Sequence, residues 1–154
     1  AGILLTLFSA FFLLVFVSWL HRWLRQAEGE GGWLATLAFG GGVLLVGSLL
    51  VVLVLSLAST VIDDYGPDPV IARTLLTVRL WAVAITFVPA ASFVGATGVI
   101  GWRSGWLPRW MSYAGMALAA GMLIPPLAYF PFLLSTIWTG MLGVTLIQQG
   151  RALR

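Results

Sequence analysis

The sequence predicts an all-α, polytopic transmembrane helical bundle of about five spans, and three observations carry that reading. First, the 154-residue chain is 60% hydrophobic and 8% charged, with a mean hydropathy of +1.04, where soluble domains run near a quarter charged. Second, its formal charges are eight Arg and five Asp or Glu, with no Lys, and all of them lie between or at the edges of long apolar runs. An ionised side chain at the bilayer centre costs at least about 2.5–3.5 kcal/mol. Third, each long run between charges supplies at least the roughly 20 residues that cross a hydrocarbon core of about 30 Å.

Taken in order, residues 2–20 form the first span. A secretory signal puts positive charge before its apolar core, whereas here His21, Arg22 and Arg25 follow it, so this run reads as a span entering from outside. The chain opens at Ala1 without Met, which leaves room for a preceding segment. Residues 26–32, with Glu28, Gly29, Glu30, Gly31 and Gly32, read as a turn, and residues 33–60 as a second span that is long enough to tilt.

Asp63, Asp64, Tyr65, Gly66, Pro67, Asp68 and Pro69 are a strong turn signal. Asp68 is placed as an N-cap and Pro69 as the first helical residue, so residues 69–78 are expected to form a short helix near the membrane surface. Span three covers residues 80–101, with a bend expected at Pro89 because proline lacks a backbone donor. Residues 102–110, which include Arg103, Pro108 and Arg109, read as a tight basic turn. The stretch 111–149 is too long for one span. With Pro125-Pro126 as its hinge it divides into spans 108–124 and 127–147, and Arg151 and Arg154 close the chain.

The excess of Arg in short cytoplasmic loops orients the bundle. Arg22, Arg25, Arg103, Arg109, Arg151 and Arg154 fall on one side, and Asp63, Asp64 and Asp68 on the other. The expected topology is N-terminus outside and C-terminus inside. Trp19, Trp23, Trp33, Trp102, Trp106 and Trp110 all fall beside the arginine-bearing turns, as an aromatic belt at the headgroup level requires. Arg without Lys, together with abundant Ala, Gly, Leu and Val, points to a GC-rich bacterial genome and hence to a multi-pass protein of the bacterial plasma (inner) membrane.

The composition excludes several chemistries. With no cysteine, disulfides, thiolate metal sites, iron–sulfur clusters and thiol redox chemistry are out. A net charge of +3 that sits at span ends is a topology signal, and no nucleic-acid partner is expected. His21 is the only histidine and reads as an interfacial residue. Ser18 lies three residues before it, but no carboxylate is placed to orient such a pair. Asp63, Asp64 and Asp68 lack the spacing and the distal Glu of a calcium loop, so they read as a solvated turn. No Asp, Glu, Lys or His falls in mid-span, where proton-coupled transporters carry their relays. Gly40-Gly41-Gly42, Pro89 and Pro125-Pro126 are the places where a helix could break. No cofactor or metal is expected.

What remains are packing and anchoring residues. Small residues recur four apart at Ala38 and Gly42, Ala91 and Gly95, Ala117 and Gly121, Thr136 and Gly140, and elsewhere, a spacing that lets helix backbones approach closely. Ala91, Gly95, Thr136 and Gly140 are the candidate helix-packing or partner face. Arg79 and Arg73 are candidate lipid-headgroup anchors, weighed against simple snorkelling.

The Arg-rich turn with its "AEG" segment (residues 24–31), the "RSGWLPRWMSYAG" turn (residues 103–115) and the "YFPFLL" apex (residues 129–134) resemble a family of multi-span membrane proteins of GC-rich bacteria. The resemblance implies the helical topology and a usual extra N-terminal helix, and it carries no functional residues. The expected function is that of a non-catalytic accessory or interaction subunit, partnered by membrane lipids and other membrane-protein subunits. The alternative is binding or transport of a lipid or other apolar small molecule in the groove between spans three and five.

Overall fold

Five helices follow one another along the chain: α1 (Gly2–Glu28), α2 (Trp33–Asp64), α3 (Pro69–Ser104), α4 (Arg109–Met122) and α5 (Tyr129–Ala152). Of the described residues 92% are helical, and no strand occurs among them. The structure, a computed structural model, describes residues 2–29, 31–64, 69–124 and 127–152, with the side chains of 4–29, 31–60, 69–124 and 127–148. Asp68, Pro125-Pro126 and Arg154, and the side chains of Asp63, Asp64 and Arg151, lie outside that set.

Short connections make successive helices antiparallel neighbours, and α3 touches all four others. The main core joins Val17, Leu20 and Leu24 of α1, Leu34, Ala35 and Ala38 of α2, Phe93 and Ile100 of α3, Met111 of α4, and Trp138, Leu142 and Leu146 of α5. A second core sets Phe87, Ala90 and Ala91 of α3 against Ala119 and Met122 of α4 and Ala128 before α5. Every buried residue of α3 lies from Thr86 onward. Packing is therefore concentrated at the end of the bundle that carries the α1–α2 and α3–α4 turns.

α1, α2, α3 and α5 are long and apolar enough to cross a membrane. α4 has 14 residues, which at 1.5 Å per residue reach about 21 Å, less than a hydrocarbon core. The expected fourth span is thus a short helix that turns back early. The Phe87 ring packs edge-on against Tyr129 at 5.0 Å and lies tilted against Phe132 at 5.4 Å, which puts the start of α5 beside Phe87. The hairpin itself, with two separate helices in residues 109–152, is as expected.

Several boundaries depart from the sequence reading, each for a local reason. The separate surface helix over 69–78 does not exist. Residues 69–104 are one helix, because no Gly or Pro interrupts them before Pro89 and Leu, Ala and Arg propagate a helix well. Span two likewise continues to Asp64. α1 continues through Gln26, Ala27 and Glu28, and stops only at Gly29. There φ is +76° and the Gly29 N–H donates to the Arg25 carbonyl at 3.3 Å, a left-handed cap that favours glycine. The helix α3 also runs into the expected basic turn as far as Ser104.

The Gly40-Gly41-Gly42 run does not break α2. Its glycines serve three different surroundings. A Cβ at Gly41 would lie 2.8 Å from both the Pro89 carbonyl and the Phe93 amide, one at Gly42 would lie 2.6 Å from Val17, and one at Gly40 would meet nothing within 4 Å. Gly41 is thus the point of backbone contact between α2 and α3, at the position where Pro89 interrupts the α3 donor ladder.

Candidate functional site

The arginine-bearing end of the bundle is built from two turns. In the first, the Glu28 carboxylate at the end of α1 folds over the start of α2. Leu34 N–H donates to Oε1 at 3.0 Å and Ala35 N–H to Oε2 at 2.8 Å. These are amides that a helix start leaves without intrahelical partners, and an anion there also meets the positive end of the helix dipole. His21 reaches the same turn of helix. Its Nδ1 donates to the Ala35 carbonyl at 3.2 Å, and its ring lies 4.9 Å from Phe39. His21 is half-buried and ties α1 to α2. A proton on Nδ1 is required, because a carbonyl only accepts.

Glu28 was legible only as part of a turn, although an acid just before a helix start is itself a capping signal. Replacing Glu28 with Ala should lower stability by about 1 kcal/mol, within the usual range for a lost N-terminal cap. Glu28→Gln, which keeps one acceptor oxygen, should lose less. Thermal midpoints in detergent read the difference, and equal midpoints for wild type and Glu28→Ala would refute the capping role.

In the second turn, Gly105 (φ +70°) reverses the chain after α3, and its N–H donates to Gly101 O at 3.1 Å. Leu107 is buried against Gly101, where a Cβ would overlap it. Pro108 stands at the N-cap of α4 with no side-chain cap. Around this turn lies a polar cavity of about 560 Å³, lined by Trp102, Arg103, Ser104, Gly105, Arg109 and Tyr113 among others. Arg103 and Arg109 are exposed, and no carboxylate pairs with either among the described residues. Trp102 and Trp110 flank the turn at 50% and 61% exposure, in keeping with the aromatic belt. Trp106, assigned to the same belt, is instead half-buried and packs against the main core.

The small-residue face divides in two. Ala91 is 6% exposed within the second core, and a Cβ at Gly95 would sit 3.0 Å from the Ala119 Cβ. Both therefore pack α3 against the chain's own α4, at the edge of the groove between these helices. Thr136 and Gly140 are exposed on α5, with nothing within 4 Å of a Cβ at Gly140. Arg73 and Arg79 are exposed on the first half of α3, far from the Arg103–Arg109 turn. The structure thus does not bring the six candidate residues together.

Apolar grooves of about 430, 370 and 440 Å³ run along the α2–α3, α3–α4 and α4–α5 seams. No group of three or more His, Cys, Asp or Glu residues that could hold a metal occurs among the described residues. Sequence reasoning missed Trp138, which is 3% exposed and donates from Nε1 to the Met111 carbonyl at 2.9 Å. Its ring fills the space a Cβ on Gly115 would take, 2.8 Å from Cζ2. No family model matches the chain, and no curated protein or solved structure is significantly similar to it.

Proposed function

We propose that this protein is a non-catalytic accessory subunit of a larger assembly in a bacterial inner membrane, with the arginine-bearing turns on the cytoplasmic side. The observation that supports this reading is the exposed apolar surface on the first half of α3. Beyond the contact of Phe87 with α5, residues 69–85 contain no buried side chain, and Val70 and Trp81 are 70% and 68% exposed. Within hydrocarbon, lipid alone would cover such a face. Arg79 and Arg103, however, are separated by about 36 Å of helix, slightly more than a hydrocarbon core. If both guanidiniums mark headgroup levels, Val70, Ile71 and Leu76, all exposed, stand on the part of α3 beyond the bilayer. Exposed apolar side chains that face water mark an interaction site, and a partner subunit packed around this end of α3 would cover them. Thr136 and Gly140 on α5 offer a second close-approach face.

The test is native mass spectrometry of protein purified in mild detergent from its own host, as wild type and as the Val70→Ser/Leu76→Ser pair. A defined heteromeric mass should be present for wild type. The double variant should insert normally and lose that association at least about tenfold, the equivalent of about 1.4 kcal/mol. A lone wild-type chain would refute the reading, and stoichiometric lipid on it that survives Arg103→Gln/Arg109→Gln would favour lipid or apolar-molecule binding in the seam grooves.

A further inference from the structure

We propose that the α3–α4 turn is a binding site for the phosphodiester of an anionic phospholipid, with Arg103 and Arg109 as its charged ligands. The pairing is one of geometry and of charge. The two guanidiniums line one polar cavity of about 560 Å³, and neither has an acidic partner among the described residues. Glu28, the acid of the neighbouring turn, has both carboxylate oxygens committed to the α2 amides. Guanidinium forks match phosphate oxygens in bidentate fashion, and two of them around one cavity can engage both free oxygens of a phosphodiester.

The backbone adds to this field. α4 starts at Arg109 with Pro108 as an N-cap that supplies no side-chain acceptor. Met111 and Ser112 N–H are satisfied by the Pro108 carbonyl at 2.9 and 3.1 Å, which leaves the amides of Arg109 and Trp110 as the helix-start donors without an intrahelical acceptor. An anion over this end meets the positive pole of α4 as well as the two side chains. Tyr113, one turn further on and also lining the cavity, brings a hydroxyl that can donate. The Ser104 hydroxyl is not available for donation, since it already donates to Ile100 O at 2.6 Å.

The surroundings favour a lipid over a free phosphate. Trp102 and Trp110, half to three-fifths exposed, stand beside the cavity as headgroup-level anchors. The outer surface of α4 continues from it through exposed Ala117 and Ala120 to Leu123, just past the far end of the helix, a path along which acyl chains would lie. Basic pockets between helix ends are a recurrent form of anionic headgroup recognition.

The experiment uses the full chain in detergent with phosphatidylglycerol or phosphatidylcholine added in equal amounts, and lipid occupancy read by native mass spectrometry. Wild type should prefer phosphatidylglycerol. Arg103→Gln/Arg109→Gln should lower that preference roughly thirtyfold, about fivefold per arginine, while Arg73→Gln/Arg79→Gln at the other end should leave it unchanged. An undiminished preference in the first pair, or an equal loss in the second, would overturn the site. Inorganic phosphate that displaces phosphatidylglycerol at equal concentration would overturn the lipid assignment in favour of a soluble phosphate. Should the glutamine pair fail to insert, raising salt on the wild-type protein gives the same decision. Phosphatidylglycerol occupancy must then fall as screening grows, and a flat salt response would refute the proposal.

Discussion

Gly41→Leu should drive α2 and α3 apart and abolish the folded bundle, and even Gly41→Ala should cost about 1–3 kcal/mol, the range for overpacking a tight interior. The reason lies in what a Cβ there would meet. It would fall 2.8 Å from both the Pro89 carbonyl oxygen and the Phe93 amide nitrogen, the two partners of one α3 backbone hydrogen bond. Backbone atoms cannot swing aside as a side-chain tip can, so the helices must separate along their shared seam. The neighbouring glycines act as internal controls. Gly40→Ala meets open space and should be neutral or gain up to about 1 kcal/mol from helix propensity. Gly42→Ala presses on Val17, 2.6 Å away, and should fall between the two because Val17 is a stiff but movable side chain. Unfolding midpoints of the three alanine variants in mixed micelles must rank Gly40, Gly42, Gly41 from most to least stable. A Gly41→Ala protein as stable as Gly40→Ala would show that the α2–α3 contact is not made there.

The same three glycines show where sequence reading stops. They are indistinguishable as letters in an apolar run, and only the arrangement of α1 and α3 around α2 gives them separate roles. The helical membrane character was legible because the penalty on a charge in hydrocarbon belongs to each residue and shows directly in the spacing of Arg22, Arg25, Arg79, Arg103 and Arg109. Helix ends were harder to place. Residues 26–28 and 102–104 stay helical because the left-handed glycines Gly29 and Gly105, not the charges nearby, stop the chain. The merger of residues 69–78 into α3 has the same origin: Arg79 suggested a membrane edge, and an edge is no reason for a helix to end.

Contacts between helices were the least legible. Ala91 and Gly95 carried the right small-residue spacing, but spacing does not say which neighbour approaches, and α4 is the one that does. Glu28 was hidden for a related reason. Its partners, Leu34 and Ala35, lie six and seven residues away across a glycine turn, beyond the local capping patterns that a sequence displays. The Arg103–Arg109 turn was read for its charge alone, and its cavity depends on Leu107 folding back onto Gly101, a tertiary event.

Trp138→Ala should be the most damaging single truncation, at about 3–5 kcal/mol, because one side chain holds the α4–α5 hairpin in place. The indole is 3% exposed, sits in the main core, and donates from Nε1 to the Met111 carbonyl at 2.9 Å in the first turn of α4. Its ring occupies the space over Gly115, with Cζ2 and Cε2 at 2.8 and 3.1 Å from where a Cβ would stand. Trp138→Phe keeps most of the apolar volume and loses the hydrogen bond. It should therefore cost much less, about 1 kcal/mol for the bond itself and somewhat more for the space left by the smaller ring. The pairing with Gly115 gives a sharper test than either loss. Gly115→Ala should be strongly destabilising beside Trp138, because a ring buried in the main core cannot retreat, and it should be nearly harmless in the Trp138→Leu background, where the clashing atoms are gone. The double-mutant cycle must then show a favourable coupling of at least about 1 kcal/mol. Additive effects of the two substitutions would mean that the ring does not rest on Gly115, and the contact that closes the α4–α5 hairpin would have to be sought elsewhere.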